Sequence, residues 1–87
     1  MGYIIVITKQ AQKDAKKLES CGLDKKAIEL LKIIKENPYQ TPPPYEKLIG
    51  DLKGFYSRRI NIKHRIIYEV YEKENTIKIL RMWTHYQ

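Results

Sequence analysis

Hydrophobic and polar positions divide the chain into a helical first half and a strand-rich second half. The apolar, β-branched run from Tyr3 to Ile7 is typical of a buried strand. Thr8 then predicts a helix N-cap, and apolar residues recur at helical spacing as far as Gly22, a predicted helix end. Asp24 predicts the N-cap of a second helix, which the Asn37-Pro38 pair ends.

The second half predicts three strands, Phe55 to Ile62, Arg65 to Tyr71 and Thr76 to Trp83, separated by breaks short enough for hairpins. Between helices and strands, the segment 38–45 contains three consecutive prolines and predicts a stiff, extended connector. The order β-α-α-β-β-β predicts one α+β domain over residues 1–87. In it, two helices pack on one face of a twisted, mostly antiparallel four-stranded sheet.

The net charge indicates the class of partner, and the cysteine usage indicates the cellular compartment. Seventeen Lys and Arg against ten Asp and Glu give a net charge of +7, which favours nucleic acid or an acidic protein as partner. The lone Cys21 excludes an internal disulfide and favours a cytoplasmic protein. The apolar runs are too short for a signal peptide or a membrane span, so no membrane association is expected. No spacing of His and Cys suggests zinc, and no metal or cofactor is expected.

The second half also carries residues suited to RNA cleavage without a metal, which needs a base, a cation and an acid. The candidates are Glu46, the arginines Arg58, Arg59 and Arg65, and the terminal pair His85-Tyr86. Each of the three key residues has a plainer interpretation. Glu46 can be a solvated loop carboxylate, Arg65 a charge at a sheet edge, and His85 part of a frayed tail. Trp83 and Tyr86 favour the functional interpretation, because aromatic side chains beside cations grip single-stranded RNA bases.

Several stretches carry a resemblance to a known family. They are Glu46-Lys47-Leu48, the run LKGFYSRRI from Leu52 to Ile60, the run HRIIY from His64 to Tyr68, and the terminal His85-Tyr86. Together they closely resemble the YoeB family within the RelE superfamily of toxins. The match is dense over residues 45–71 and resumes at the C-terminus. The resemblance implies a RelE-like fold of two helices on a twisted antiparallel sheet, in agreement with the expected architecture.

The resemblance also implies roles for individual residues. Glu46 falls at the general base of the family, Arg65 at its phosphate-stabilising arginine and His85 at its general acid. Tyr86 falls at the tyrosine that helps to hold the nucleotide, and Arg59 at a further basic contact.

The sequence departs from the family at two places. Ile49 stands where well-known members have a lysine that contacts RNA, although Lys53 lies nearby and is a candidate substrate contact. Trp83-Thr84 precede the His-Tyr pair where relatives often place an arginine and an aromatic residue, and Trp83 is a second candidate substrate contact. These departures concern the grip on RNA and leave the three catalytic candidates in place.

The function implied by the resemblance is that of a toxin of a type II toxin–antitoxin system which cleaves mRNA in the ribosomal A site and so inhibits translation. Its partners would be the ribosome, mRNA and an acidic, partly disordered antitoxin; whether it forms a homodimer is left open. Two alternatives remain at this point. A non-catalytic, gyrase-directed toxin of the ParE type would share the scaffold, but such toxins generally lack the Glu, Arg, His and Tyr quartet. A plain RNA-binding module would give no reason for Glu46, because a carboxylate repels phosphate.

Overall fold

The computed structural model describes residues 2–48 and 54–83. Its elements are β1 (Ile4–Ile7), α1 (Lys9–Ser20), α2 (Asp24–Glu36), β2 (Glu46–Lys47), β3 (Phe55–Arg59), β4 (Arg65–Tyr71) and β5 (Thr76–Arg81). The strands form one sheet in the order β1-β5-β4-β3-β2. β1 runs parallel to β5, and the other neighbours are antiparallel. The predicted α+β class, with two helices on a mostly antiparallel sheet, is confirmed.

The number of strands differs from the expected four because of β2. This strand is two residues long and directly follows the proline-containing connector. Both of its residues are charged and exposed, so it carries no alternation of apolar and polar positions that would predict a strand. It exists because Glu46 and Lys47 pair with Ser57 and Tyr56 of β3.

The strands also differ from the prediction at three points. β1 begins at Ile4 instead of Tyr3, and it is not a buried strand, because it lies at the edge of the sheet with Ile4 and Val6 exposed. β3 stops at Arg59 instead of Ile62, because the chain turns there: the backbone amides of Ile60 and Asn61 both donate to the carbonyl of His64. β5 stops at Arg81 instead of Trp83. β4 has the predicted bounds.

The helix ends follow local chemistry. Thr8 caps α1 as predicted, since its hydroxyl accepts a hydrogen bond from the amide of Ala11 at 3.1 Å. Gly22 has a positive φ of 77°, the left-handed conformation that glycine adopts after a helix end. The prediction for Asp24 is wrong: Leu23 is the N-cap, without a side-chain bond, and Asp24 is the first helical residue. Its carboxylate there lies near the positive end of the helix dipole.

The core lies between the helices and one face of the sheet. It comprises Ala11, Leu18, Ala27, Leu30 and Ile34 from the helices with Ile66, Tyr68, Ile77 and Ile79 from the strands. Because side chains alternate along a strand, the odd-numbered residues of β3 and β4 lie on the opposite face. We call this the open face; on these two strands it carries Phe55, Ser57, Arg59, Arg65, Ile67, Glu69 and Tyr71. Neither described helix is long and apolar enough to cross a membrane.

Candidate active site

Glu46 and Arg65 meet on the open face. Glu46 lies opposite Ser57, and Arg65 lies opposite Arg59, so both flank the same central strand, β3. The Nη1 atom of Arg65 donates a hydrogen bond to Oε1 of Glu46 within an ion pair. The Arg65 side chain is 23% exposed and that of Glu46 is 66% exposed, so solvent or a substrate can reach the pair. The residues predicted as base and phosphate-stabilising cation are therefore in direct contact.

A cleft lies beside this ion pair. It has a volume of about 250 Å³ and is lined by Pro44, Tyr45, Glu46, Ser57 and Arg59. Arg59 also lines a neighbouring cavity of about 440 Å³, whose wall includes Lys26 and the largely exposed Ile62. The predicted substrate contact Arg59 thus stands between two adjoining depressions, on the same face as the carboxylate. An extended, negatively charged chain could follow this surface past Glu46.

Ser57 is a feature of the cleft that the sequence interpretation missed. Its side chain is 2% exposed, and its hydroxyl has no hydrogen-bond partner among the described residues. A buried hydroxyl is normally hydrogen-bonded, so a lone one beside a cleft is notable. Alternation along β3 was the available signal, because it places Ser57 and Arg59 on one face and Arg58 on the other.

Arg58 does not join the cationic cluster in which the sequence placed it. It is fully buried on the helix side of the sheet, where its Nε donates to the Tyr68 hydroxyl at 3.2 Å. Burial raises the pKa of the Tyr68 hydroxyl, although the Arg58 guanidinium opposes that rise. The hydroxyl therefore stays protonated and donates to the Pro38 carbonyl at 2.7 Å. Of the three clustered arginines, only Arg59 and Arg65 lie on the open face.

Trp83 packs against the core. Its ring stacks on His64, with ring centroids 4.0 Å apart and an interplanar angle of 21°. The Lys17 ammonium lies 5.7 Å from the centroid of the same ring. These contacts with His64 and Lys17 are enough to fix the Trp83 side chain, so its placement does not require a role in RNA binding. The base-gripping role of Trp83 stays a prediction.

The end of β5 is anchored to α1 by Asp14. This carboxylate is fully buried and accepts from the Arg81 Nε at 2.8 Å and from the Met82 amide at 3.0 Å. Burial on its own would raise the pKa of Asp14, but the bonds from Arg81 and Met82 outweigh it, so the pKa lies below its ordinary value. The anchor fixes the point from which the C-terminal residues continue.

Six residues named from the sequence lie outside the described residues: Ile49, Leu52, Lys53, Thr84, His85 and Tyr86. The roles of His85 as acid and of Lys53 and Tyr86 as substrate contacts therefore stay predictions. Within residues 2–48 and 54–83, no group of three or more His, Cys, Asp or Glu side chains could hold a metal ion.

Solved toxins share this fold. The YoeB/ParE toxin from Agrobacterium tumefaciens matches with a TM-score of 0.86 over 95% of this chain and 99% of that chain, at 26% identity. YoeB from Staphylococcus aureus, solved in complex with YefM and as a dimer, matches with a TM-score of 0.80 in both cases. Identities are 38% and 37%, over 99% of this chain and 100% of each toxin chain. Fold and site thus define a small toxin of this structural class.

Sequence comparison specifies the family. Toxin YoeB of Synechocystis sp. is 34% identical over 76 residues, which is 87% of this chain and 79% of the relative. The family described as YoeB-like toxin of bacterial type II toxin-antitoxin system matches residues 8–86. The chain belongs to this family of YoeB-like toxins.

Proposed function

We propose that this toxin is a ribosome-dependent endoribonuclease that cleaves mRNA in the ribosomal A site. The observation that carries the proposal is the contact of Glu46 with Arg65 at the edge of an open cleft that Arg59 also lines. A carboxylate able to take a proton and a guanidinium able to bind a phosphate are the two groups that 2′-hydroxyl attack first requires. A gyrase-directed toxin would have no use for this pair.

In the proposed reaction, Glu46 removes the proton from a ribose 2′-hydroxyl, and the 2′-oxygen attacks the adjacent phosphorus. Arg65 stabilises the charge of the phosphorane that forms. His85 donates a proton to the departing 5′-oxygen as the P–O bond breaks. The products are a 2′,3′-cyclic phosphate and a 5′-hydroxyl, and none of these steps is assigned to a metal. Tyr86, Arg59, Lys53 and Trp83 are proposed to hold the nucleotide and its neighbours.

The ion pair implies a change on substrate binding. In the structure, the Arg65 guanidinium donates to the Glu46 carboxylate. A bound phosphodiester offers the guanidinium a second anionic acceptor, and arginine can bridge two acceptors through its fixed fork of donors. Because the Glu46 side chain is largely exposed, it can turn towards the 2′-hydroxyl without crossing packed side chains.

The ribosome is proposed to supply the geometry that the toxin lacks. In-line attack requires the 2′-oxygen, the phosphorus and the leaving oxygen to be aligned, and good alignment lowers a barrier by roughly 7–11 kcal/mol in model systems. A cleft of about 250 Å³ contacts little more than the reacting nucleotide. The ribosome would hold mRNA in the A site in a bent shape before the toxin binds. The proposed location of the toxin is the cytoplasm, where ribosomes are found.

The experiment compares the cleavage of a defined mRNA, free and on programmed ribosomes, by the toxin and by Glu46→Gln. We expect strong cleavage on ribosomes, weak cleavage of free RNA, and a loss of about 10²–10⁴-fold in Glu46→Gln, the usual contribution of a general base. Arg65→Ala and His85→Ala should be similarly impaired. Glu74→Gln, which changes an exposed glutamate in the β4–β5 turn, is the matched control and should keep the parent rate.

Analysis of the product ends tests the chemistry separately. A 2′,3′-cyclic or 3′-phosphate end is expected, and cleavage of free RNA, however weak, should persist in EDTA. A 3′-hydroxyl end, or equal rates for Glu46→Gln and the parent toxin, would refute the mechanism. Equal rates on free and ribosome-bound mRNA would refute the dependence on the ribosome.

We also propose that an antitoxin restrains this activity by covering the open face. The S. aureus relative was solved in complex with YefM, which supports a protein partner of this kind. The net charge of +7 favours an acidic segment, both for steering and for complementarity. A disordered acidic tail that folds on binding could cover the groove around Arg65 and His85.

A further inference from the structure

Arg58 is a buried cation that bonds to neutral acceptors. Its side chain is fully buried, and besides the Tyr68 hydroxyl its donors reach three backbone carbonyls. Nη1 donates to the carbonyl of Pro43 at 2.7 Å, and Nη2 donates to those of Pro38 and Gln40 at 3.0 and 2.8 Å. Burying a charge is costly unless its donors are satisfied, and here each of the three nitrogens has an acceptor.

All three carbonyls belong to the 38–45 connector. Its prolines have no amide hydrogens, so the segment cannot be held by an ordinary backbone ladder. The start of the connector makes a further hydrogen bond to the β4–β5 turn: the Tyr39 hydroxyl donates to the Glu72 carboxylate at 2.5 Å. Further along, the Arg58 guanidinium lies 5.1 Å from the ring centroid of Tyr45. On the buried side of the sheet, the connector is thus held by Arg58 at three carbonyls and by the Tyr68 hydroxyl at one of them, that of Pro38.

The connector leads directly into Glu46. Tyr45 is the residue before it, and Glu46 opens a strand only two residues long. So short a strand fixes the direction of its first residue weakly, because it contributes few ladder bonds. The shape of the preceding segment therefore sets, together with the bond from Arg65, how the carboxylate meets the cleft.

We propose that Arg58 is a positioning residue, which orients Glu46 for proton abstraction by clamping the 38–45 connector from the buried side of the sheet. This proposal rests on the ribonuclease function proposed above. It assigns different tasks to two adjacent arginines of β3. Arg59 lines the cleft, where its charge can bind the substrate. Arg58 points to the other side of the sheet and holds the connector that leads to Glu46.

The test variant is Arg58→Lys. Lysine keeps the charge, but its single nitrogen cannot reach three carbonyls that a planar guanidinium spans. We expect the single-turnover cleavage rate on programmed ribosomes to fall about 100-fold, as for a displacement of catalytic groups by roughly 1 Å. The KM for programmed ribosomes should change less than about threefold, because the docking surface is intact. The amides of residues 39–41 and 45, which are the non-proline residues of this stretch, should exchange hydrogen faster than in the parent.

Two comparisons separate positioning from a loss of stability. Ile34→Val weakens the core at a fully buried position in α2, and it should leave both the rate and the exchange of the connector unchanged. In a Glu46→Asp background, where the base is already displaced, Arg58→Lys should slow cleavage less than about tenfold further, because the two changes damage one feature. A purely structural role would instead give effects that multiply.

Parent-like cleavage by folded Arg58→Lys would overturn the proposal, as would a full 100-fold effect in the Glu46→Asp background. If Arg58→Lys does not fold, Tyr68→Phe takes its place; it removes the buried hydroxyl that accepts from the Arg58 Nε and donates to the Pro38 carbonyl, and it should slow cleavage about tenfold with an unchanged KM. A parent-like rate for Tyr68→Phe would then refute the clamp. If the parent toxin does not cleave ribosome-bound mRNA, the ribonuclease function fails by itself. The clamp is then judged by exchange alone, and unchanged protection of residues 39–41 and 45 refutes it.

Discussion

Asn in place of Asp14 should destabilise the toxin substantially, although the change is nearly isosteric. The Asp14 carboxylate is fully buried and receives bonds from the Arg81 Nε at 2.8 Å, from its Nη2 at 3.4 Å and from the Met82 amide at 3.0 Å. Asparagine offers one acceptor oxygen in place of two and carries no charge. At least one of these bonds is lost, and the remaining ones are no longer charge-assisted.

The size of the effect follows from the exposure of the two partners. Removing one partner of a fully buried ion pair costs about 3–5 kcal/mol. Here the Arg81 side chain is 39% exposed, so water can partly replace the carboxylate, and we expect about 2 kcal/mol, as for charge-assisted hydrogen bonds. In a domain of this size, each kcal/mol shifts Tm by about 4–8 °C. Asp14→Asn should therefore lower Tm by about 8–16 °C at pH 7.

The pH dependence provides a second, independent check. The pKa of Asp14 in the folded toxin lies below its ordinary value of 3.8. A group with a depressed folded pKa contributes stability above its unfolded pKa and loses it as the pH falls through the folded one. The Tm difference between the parent and Asp14→Asn should thus be full at pH 7 and shrink below pH 3.8.

Thermal unfolding followed by circular dichroism at pH 7, and at several values below pH 4, measures both quantities. The matched control is Asp24→Asn in the first turn of α2, which loses only a helix-dipole interaction of about 0.3–1 kcal/mol. If Asp14→Asn destabilises no more than this control at pH 7, the anchor is not energetically important. A Tm difference that stays constant down to pH 2 would contradict the assigned role of the charge.

Two further predictions concern the open face. Ser57→Ala removes a buried hydroxyl that has no partner among the described residues, so the free energy of unfolding should fall by less than about 0.5 kcal/mol or even rise. Its single-turnover cleavage should stay close to the parent rate, because the hydroxyl is too deeply buried to contact a substrate; a clear loss of rate would instead assign the hydroxyl a part in the reaction. Co-expression with the product of the neighbouring reading frame should yield a complex in which Arg65 and residues 81–87 are protected from hydrogen exchange and cleavage is blocked. A complex that still cleaves mRNA would contradict this.

The parts of the fold that were predictable are those with a strong local signal. β4 is rich in aromatic and β-branched residues and has its predicted bounds, and Thr8 caps α1 through a local bond from its own hydroxyl. β2 could not be predicted, because it exists only through pairing with β3 and its two charged residues show no pattern. The position of Asp24 was missed by one residue, since a carboxylate favours both the N-cap and the first turn.

The candidate site was predictable in its residues but not in its geometry. Resemblance selected Glu46 and Arg65, and pairing through β3 brought them together. Alternation shows that Arg58 and Arg59 face opposite ways, but nothing local shows which of the two is buried. The acceptors that satisfy Arg58 lie 15 to 20 positions earlier in the chain, in a connector whose path depends on the folded sheet. Such a network becomes visible only when the tertiary structure is known.

The two faces of the sheet separate stability from chemistry. Burying one isoleucine, such as Ile66 or Ile77 on the helix side, contributes about 1.5–3 kcal/mol. The Glu46–Arg65 pair is partly exposed on the other face, and pairs of that kind contribute about 0–1 kcal/mol. Substitutions in the pair should therefore leave the toxin folded, and a loss of cleavage in Glu46→Gln can be interpreted as chemistry. The core and the Asp14 anchor thus keep the fold, whereas the Arg58 clamp links the helix side of the sheet to the chemistry proposed for the open face.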